Sequence, residues 1–296
     1  MPRPNITIYT ALAANIGIAA MKFIAGAVSR SSAMTAEGVH SLVDTINELL
    51  LLYGIHRSTK ERDPKHPFGY GRELYFWSFI VSILIFSFGA CVAFVSGYAH
   101  LRSPLGTGSM KWNYVVLGCA LLFDGGSFVV ALREFRKKTS DPLFAAIRKS
   151  KDPADFMVLL EDGAGVAGVV CVFVFLLIGE RTGNVYLDGI ASILVGVILT
   201  LSSLLLARES RSLLIGEGIS RETERRIIDL VGNEPFRLQV RRVFSLYQSP
   251  DEVLLLLMVH PRPDLSTAEF TEKIAAVREK IKDRFPRISY VVIQPE

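Results

Sequence analysis

Six stretches of mostly apolar residues, each near the length of a bilayer crossing, fill the chain up to about residue 207. They run approximately over 6–28, 33–56, 74–98, 112–132, 156–178 and 185–207. A helix rises about 1.5 Å per residue and the hydrocarbon core is about 30 Å thick, so about 20 such residues cross it. Backbone groups left unpaired in lipid cost several kcal/mol each, so these stretches are expected to be helices. Half of all residues are hydrophobic. The chain therefore reads as a multi-span membrane protein rather than a soluble enzyme. The first run follows a single basic residue, Arg3, with no small-residue cleavage pattern, and is expected to be a retained span.

Six spans bring both ends to one side, and positive loops choose the side. The loop after the second run carries Arg57, Lys60, Arg62, Lys65 and Arg72. The loop after the fourth carries Arg133, Arg136, Lys137, Lys138, Arg148, Lys149 and Lys151. The opposite face holds only Arg30, Arg102, Lys111 and Arg181. Both termini are expected to be cytoplasmic, in the cell (inner) membrane. The net charge of +4 then reflects basic loops rather than nucleic-acid binding. Cys91, Cys119 and Cys171 lie in apolar runs without CxxC spacing and read as packing residues.

The second run is unusual in its polar content. It reads AEGVHSLVDTINELLLL from Ala36 to Leu52 and carries Glu37, His40, Asp44, Asn47 and Glu48. At about 100° per residue, Glu37, His40, Asp44 and Glu48 share one helix face. An imidazole and a carboxylate four residues apart can grip one metal ion from a single helix. A charged side chain at mid-bilayer costs about 2.5–3.5 kcal/mol on insertion scales, so a group of them implies a use. Three acids on one face also repel one another unless a cation sits among them. Further intramembrane polar residues are Asn15 and Lys22 in the first run, Asp124 in the fourth, Glu161 and Asp162 in the fifth and Asp188 in the sixth. Asp124 and Asp188 either hold helices together or relay protons. His56 and His100 stand at span ends and read as interfacial. A nitrogen-plus-carboxylate set suits zinc, with iron, manganese or cobalt as alternatives. Such ligands shed protons before they bind metal, so exchange of ion for proton follows naturally. No GxxxxGK[ST] loop is present to suggest an ATPase.

After Leu214 the pattern changes. SRETERRIIDLV from Ser220 reads as an amphipathic helix with Ser220 as N-cap. Residues 239–247 and 252–260 alternate like strands about a turn at Gln248-Ser249-Pro250-Asp251. A second helix is expected over 267–285, capped by Ser266 or Thr267, and a last strand over 288–293. The order αββαβ suits a small two-layer α+β domain. The expected division is a six-helix transmembrane transport domain over 1–211 and a cytoplasmic domain over 212–296.

The six-span pattern, the second-run motif AEGVHSLVD, the loop DPKHPFGYGRE, the fifth-run motif LLEDGAGVAG and the αββαβ tail together resemble the cation diffusion facilitator family. The LLED form is similar to a divergent branch of it. The resemblance implies a metal/proton antiporter, zinc most often its substrate, working as a homodimer by alternating access, with a ferredoxin-like cytoplasmic domain. It implies no cofactor. It implies a transport site of two residues on the second span and two on the fifth, each pair four apart. Carried over, His40 and Asp44 match the first pair and Asp162 the acidic member of the second. The other fifth-span position is Val158, which cannot ligate, so the fourth ligand falls to Glu161, Glu37, Asn47 or a water. Asp63 and His66 match two positions of a second, loop metal site, whose third position is Tyr70 here. The alternative for that loop is a conformational role of His66-Pro67-Phe68-Gly69. His260 reads as a strand-end residue. The rival to transport is a membrane scaffold or metal sensor that keeps a degenerate site.

Overall fold

The computed structural model describes residues 6–104, 111–233, 238–260 and 266–296, the side chains of 6–14 and of Thr267 aside. The apolar runs form helices α1 (Ile6–Ser29), α2 (Ser32–Ser58), α3 (Glu73–Leu84), α4 (Cys91–Arg102), α5 (Lys111–Lys138), α7 (Pro153–Thr182) and α8 (Tyr186–Ile215). A π-helical stretch, Ile85–Ala90, joins α3 and α4 into one continuous rod. Among the described residues four helices are long and apolar enough to cross a membrane: Glu73–Arg102, α5, α7 and α8. The described part of α1, Asn15–Ser29, is apolar but shorter. α2 has the length, and its acidic residues and His40 lower its apolarity. Large apolar side chains point outward along the helices, with Leu122 78% and Val95 68% exposed, as a lipid-facing surface requires.

The strongly basic connection after α5 is not all loop. α5 continues to Lys138, and a short helix α6 (Leu143–Lys149) follows Pro142. Pro142 fixes the entry, and Leu-Phe-Ala-Ala-Ile supplies good helix formers.

The chain divides into two compact units, Met1–Gly54 with Phe76–Ser210 and Ile55–Tyr75 with Arg211–Glu296. In the first, helices approach through small residues. A Cβ on Gly97 of α4 would lie 2.7 Å from the Gly189 carbonyl of α8, and one on Gly189 would lie 3.0 Å from the Gly97 carbonyl. Ser192 Oγ adds a hydrogen bond to the Ala93 carbonyl at 2.8 Å. Between α1 and α2, Arg30 adopts a left-handed φ of 56°. Ser31 Oγ caps α2 by accepting from Met34 N at 3.1 Å.

The second unit holds α9 (Arg221–Gly232), β1 (Gln239–Ser249), β2 (Glu252–His260), α10 (Thr267–Arg284) and β3 (Ile288–Pro295). The αββαβ order is the expected one. β2 is central, antiparallel to β1 and parallel to β3. Val253, Leu255, Leu257 and Val259 of β2 point into the core, where they meet Ile227 and Val231 of α9 and Val277 and Ile281 of α10. Alternation at period two fixes that register. Ser220 caps α9, accepting from Thr223 N, and Ser266 with Glu269 forms a full capping box on α10. His260 closes β2, its Nδ1 2.8 Å from the Glu296 carbonyl oxygen. This unit also takes in the charged loop Ile55–Tyr75. Phe68 packs edge-on against Tyr290, Arg62 stacks over the same ring at 4.9 Å and donates to Glu252 at 3.1 Å, and the Gly71 backbone lies close against Gln248 and Ser249.

Candidate transport site

Of the helical face read from the sequence, Glu37 and His40 are buried, while Asp44 and Glu48 are half-buried; Ser41 and Asn47 beside them are buried too. A cavity of about 240 Å³ opens beside them, lined by Asn15 and Ile18 of α1, Ser41, Asp44 and Glu48 of α2, Phe123, Asp124 and Ser127 of α5, and Glu161, Asp162 and Gly165 of α7. Four helices thus contribute polar groups to one space. That cluster would be costly in lipid if its charges had no partners.

The cation demanded by three acids on one face is an internal one. Lys22 of α1 is fully buried, and its Nζ donates to Glu37 Oε2 at 3.0 Å and to Ser41 Oγ at 2.8 Å. It also lies 3.6 Å from Asp124 Oδ2. Other carboxylates take neutral donors. Asn47 Nδ2 donates to Glu161 Oε1 at 2.8 Å, Asn15 Nδ2 to Glu48 Oε2 at 3.2 Å, and Ser127 Oγ to Asp162 Oδ2 at 2.6 Å. Of the three residues named for a fourth ligand, Glu37 is held by the Lys22 ammonium, and Glu161 and Asn47 hold each other.

His40 stands apart from this pattern. It is 2% exposed, and among the described residues neither ring nitrogen has a hydrogen-bond partner. Its Nδ1 lies 3.3 Å from Asp44 Oδ1, an ion-pair distance without hydrogen-bond alignment. Its Nε2 faces Gly165 on the cavity wall, where a Cβ would lie only 3.4 Å away. An unpartnered buried polar group costs about 1–3 kcal/mol, so two nitrogens and a carboxylate oxygen left this way mark a place shaped for something else. Asp44 and Asp162 line the same cavity. Among the described residues, no three His, Cys, Asp or Glu side chains are gathered closely enough to hold a metal ion.

The loop positions are occupied by their own neighbours. Asp63 accepts from Tyr70 OH at 2.5 Å, from His66 N at 2.8 Å and from Lys65 N at 3.0 Å. His66 Nδ1 lies 3.2 Å from Asp63, and Lys60 Nζ lies 3.7 Å from it. The Tyr70 hydroxyl, followed by backbone donors and His66, holds the Asp63 carboxyl well below the usual carboxylate range.

Two further polar residues read differently in three dimensions. His100 is not interfacial. It is 6% exposed at the end of α4, with Nδ1 3.6 Å from Asp188 Oδ2 and Nε2 3.2 Å from the Val185 carbonyl oxygen. A helix-end position predicts exposure only where no neighbouring chain covers it, and here the start of α8 does. Asp188 accepts from Ser31 Oγ, from Ser32 Oγ at 2.9 Å and from Ser32 N at 2.6 Å, so α8 supplies an acidic cap to α2. Lys22 was visible in the sequence as a lone cation in an apolar run, and that isolation is the signal that it has a buried partner.

A helical domain of membrane-spanning length is what the family comparison describes. The Cation efflux transmembrane domain matches residues 8–215, and the chain belongs to that family, the cation diffusion facilitators. It is 33% identical over 217 residues to the proton-coupled zinc antiporter SLC30A9, mitochondrial, of Homo sapiens, a match covering 72% of this chain and 38% of that protein. It is 32% identical over 248 residues to metal tolerance protein C4 of Arabidopsis thaliana, covering 83% and 53%. A shorter match, 37% over 83 residues and 28% of each chain, is to the magnetosome protein MamB of Magnetospira sp. (strain QH-2). The matches thus span about two-fifths to one-half of the length of the first two relatives.

Proposed function

We propose that this chain carries a divalent metal ion, zinc in the first place, across a membrane in exchange for protons, at a site built on His40, Asp44 and Asp162. The observation that carries the reading is His40: a buried imidazole with both nitrogens unpartnered, set beside a carboxylate-lined cavity. Neutral imidazole and ionised carboxylate are the metal-binding forms, so a metal entering displaces protons and protons entering displace the metal. The three ligands sit on α2 and α7, so relative movement of those helices would gather or part them. That geometry suits alternating access, with the site loaded on one side and emptied on the other. The printed name of the human relative, a proton-coupled zinc antiporter, points the same way. Efflux across the cell membrane, cytoplasmic termini and a homodimeric assembly belong to the same proposal.

The test is metal-driven proton flux in proteoliposomes loaded with a pH-sensitive dye. Saturable zinc-dependent flux is expected, and Asp44→Ala is expected to abolish it while the protein stays monodisperse. Normal flux in Asp44→Ala would overturn the site. The second reading, a scaffold or sensor, is favoured by one observation, that the described ligands are not gathered around one point. It takes first place if zinc, manganese, iron and cobalt all fail to drive flux.

A further inference from the structure

The fifth span offers one ligand, Asp162, and a turn earlier only Val158. The remaining acids nearby differ in how firmly they are held. Glu37 is locked to Lys22, Glu161 takes a hydrogen bond from Asn47, and Glu48 takes one from Asn15. Asp124 of α5 is held only loosely by comparison. It lines the cavity, and Lys22 stands 3.6 Å away, longer than a hydrogen bond.

Its position is informative. A Cβ on Gly165 would lie 3.4 Å from His40 Nε2 and 4.0 Å from Asp124 Oδ2. The missing side chain leaves a notch flanked by an imidazole nitrogen from α2 and a carboxylate oxygen from α5. Nitrogen and oxygen facing one gap from two helices is a ligand arrangement for a borderline divalent cation. His40, buried and unpartnered, supplies the aim that a group of acids alone lacks.

We propose that Asp124 is the fourth ligand of the transported ion, taking the part that Val158 cannot, and that Lys22 is the cation that holds Asp124 between ions. The proposal rests on the His40, Asp44 and Asp162 reading and completes it. Lys22 is suited to the second part because Glu37 and Ser41 retain it at 3.0 Å and 2.8 Å. When Asp124 turns to the ion, the ammonium keeps a charge partner and a hydrogen bond, so release leaves no buried charge alone. The same contacts hold Glu37 through its Oε2. The ligand set then draws on three helices, α2, α5 and α7, rather than two.

The experiment is calorimetric titration of zinc into the purified full chain in detergent, with proton flux in proteoliposomes run beside it. Asp124→Asn is expected to weaken zinc binding at least tenfold. Adding Val158→His to that variant is expected to restore affinity to within a few-fold, because a histidine one turn before Asp162 supplies the missing donor. A residue that merely held α5 to α1 would gain nothing from it. Gly165→Ala fills the notch at ordinary van der Waals distances, so it is expected to weaken binding while leaving the melting temperature unchanged or raised. Should Asp124→Asn fail to fold, Gly165→Ala decides alone. Wild-type affinity in Asp124→Asn or in a folded Gly165→Ala overturns the proposal, as does loss in Asp124→Asn that Val158→His does not repair. If the unaltered chain binds no zinc and carries no flux, the underlying transport reading fails and this proposal falls with it. If it does both and only the Asp124 variants behave as wild type, the failure belongs to Asp124 alone.

Discussion

A single buried lysine answers for one acid of the α2 face, Glu37. With Lys22 in place, Glu37 is half of a pair in which both side chains are 0% exposed. Removing one member of a buried pair costs about 3–5 kcal/mol, because the other charge is stranded. Lys22→Met is therefore expected to lower thermal stability sharply, read as loss of monodisperse protein on heating in detergent. The double variant Lys22→Met with Glu37→Gln keeps the charge balance and is expected to recover most of that loss. Equal damage in the double and the single would show that Lys22 matters through something other than Glu37. At this scale the sequence was informative about need rather than identity. The spacing of Glu37, His40, Asp44 and Glu48 called for a cation on that face, and a metal was the obvious one. The neighbour that answers for Glu37 comes from α1, 15 residues earlier, and helical periodicity within α2 carries no information about it.

Among the elements, α4 and α8 form a close backbone approach at Gly97 and Gly189, and its chemistry is steric. In lipid there is no hydrophobic drive to press helices together, so small residues that let backbones touch do that work. Any side chain on Gly97 meets the Gly189 carbonyl and Ile193 at once. Gly97→Ala is expected to cost about 1–3 kcal/mol by overpacking, whereas Gly118→Ala, with nothing within 4 Å of its Cβ, is expected to be neutral or stabilising by up to about 1 kcal/mol. Comparing melting temperatures of the two variants checks this, and equal shifts would remove the seam's special role. Helix positions and caps were legible because apolar length, Ser220 and Ser266 are local signals. α6 was not, since five favourable residues between basic clusters read as loop. The burial of His100 was not either, because its cover comes from Asp188 and Val185, more than 80 residues away in sequence.

For the molecule as a whole, the loop between α2 and α3 packs with the C-terminal sheet. The sequence showed both parts but not that they associate, since Arg62 and Glu252 are 190 residues apart. The loop's own order depends on Asp63. Its folded carboxyl is held below the free value, so ionisation favours the ordered loop. That contribution is full above the unfolded value of about 3.9 and declines as pH falls from there through the folded value. Hydrogen exchange over Asp63–Tyr70, corrected for intrinsic rates, is therefore expected to quicken from pH 7 to pH 3. Asp63→Asn is expected to show fast exchange at both values. Slow exchange retained in Asp63→Asn at pH 7 would mean that Tyr70, Phe68 and Arg62 hold it without the charge.

The acidic cap on α2 has a consequence for how the protein is made. Asp188 follows Ser32 by 156 residues, an interval that synthesis at about 5–20 residues per second takes on the order of 8–30 s to cover. Through that time the turn between the first two helices lacks the carboxylate that finally secures it. The second of them carries Glu37, His40, Asp44, Asn47 and Glu48. Both helices enter the membrane early and acquire their finished register late, when α8 emerges. Chains halted before Tyr186 would hold α1 and α2 as a provisional hairpin. The last span, usually thought of as an end, is here the part that closes the beginning.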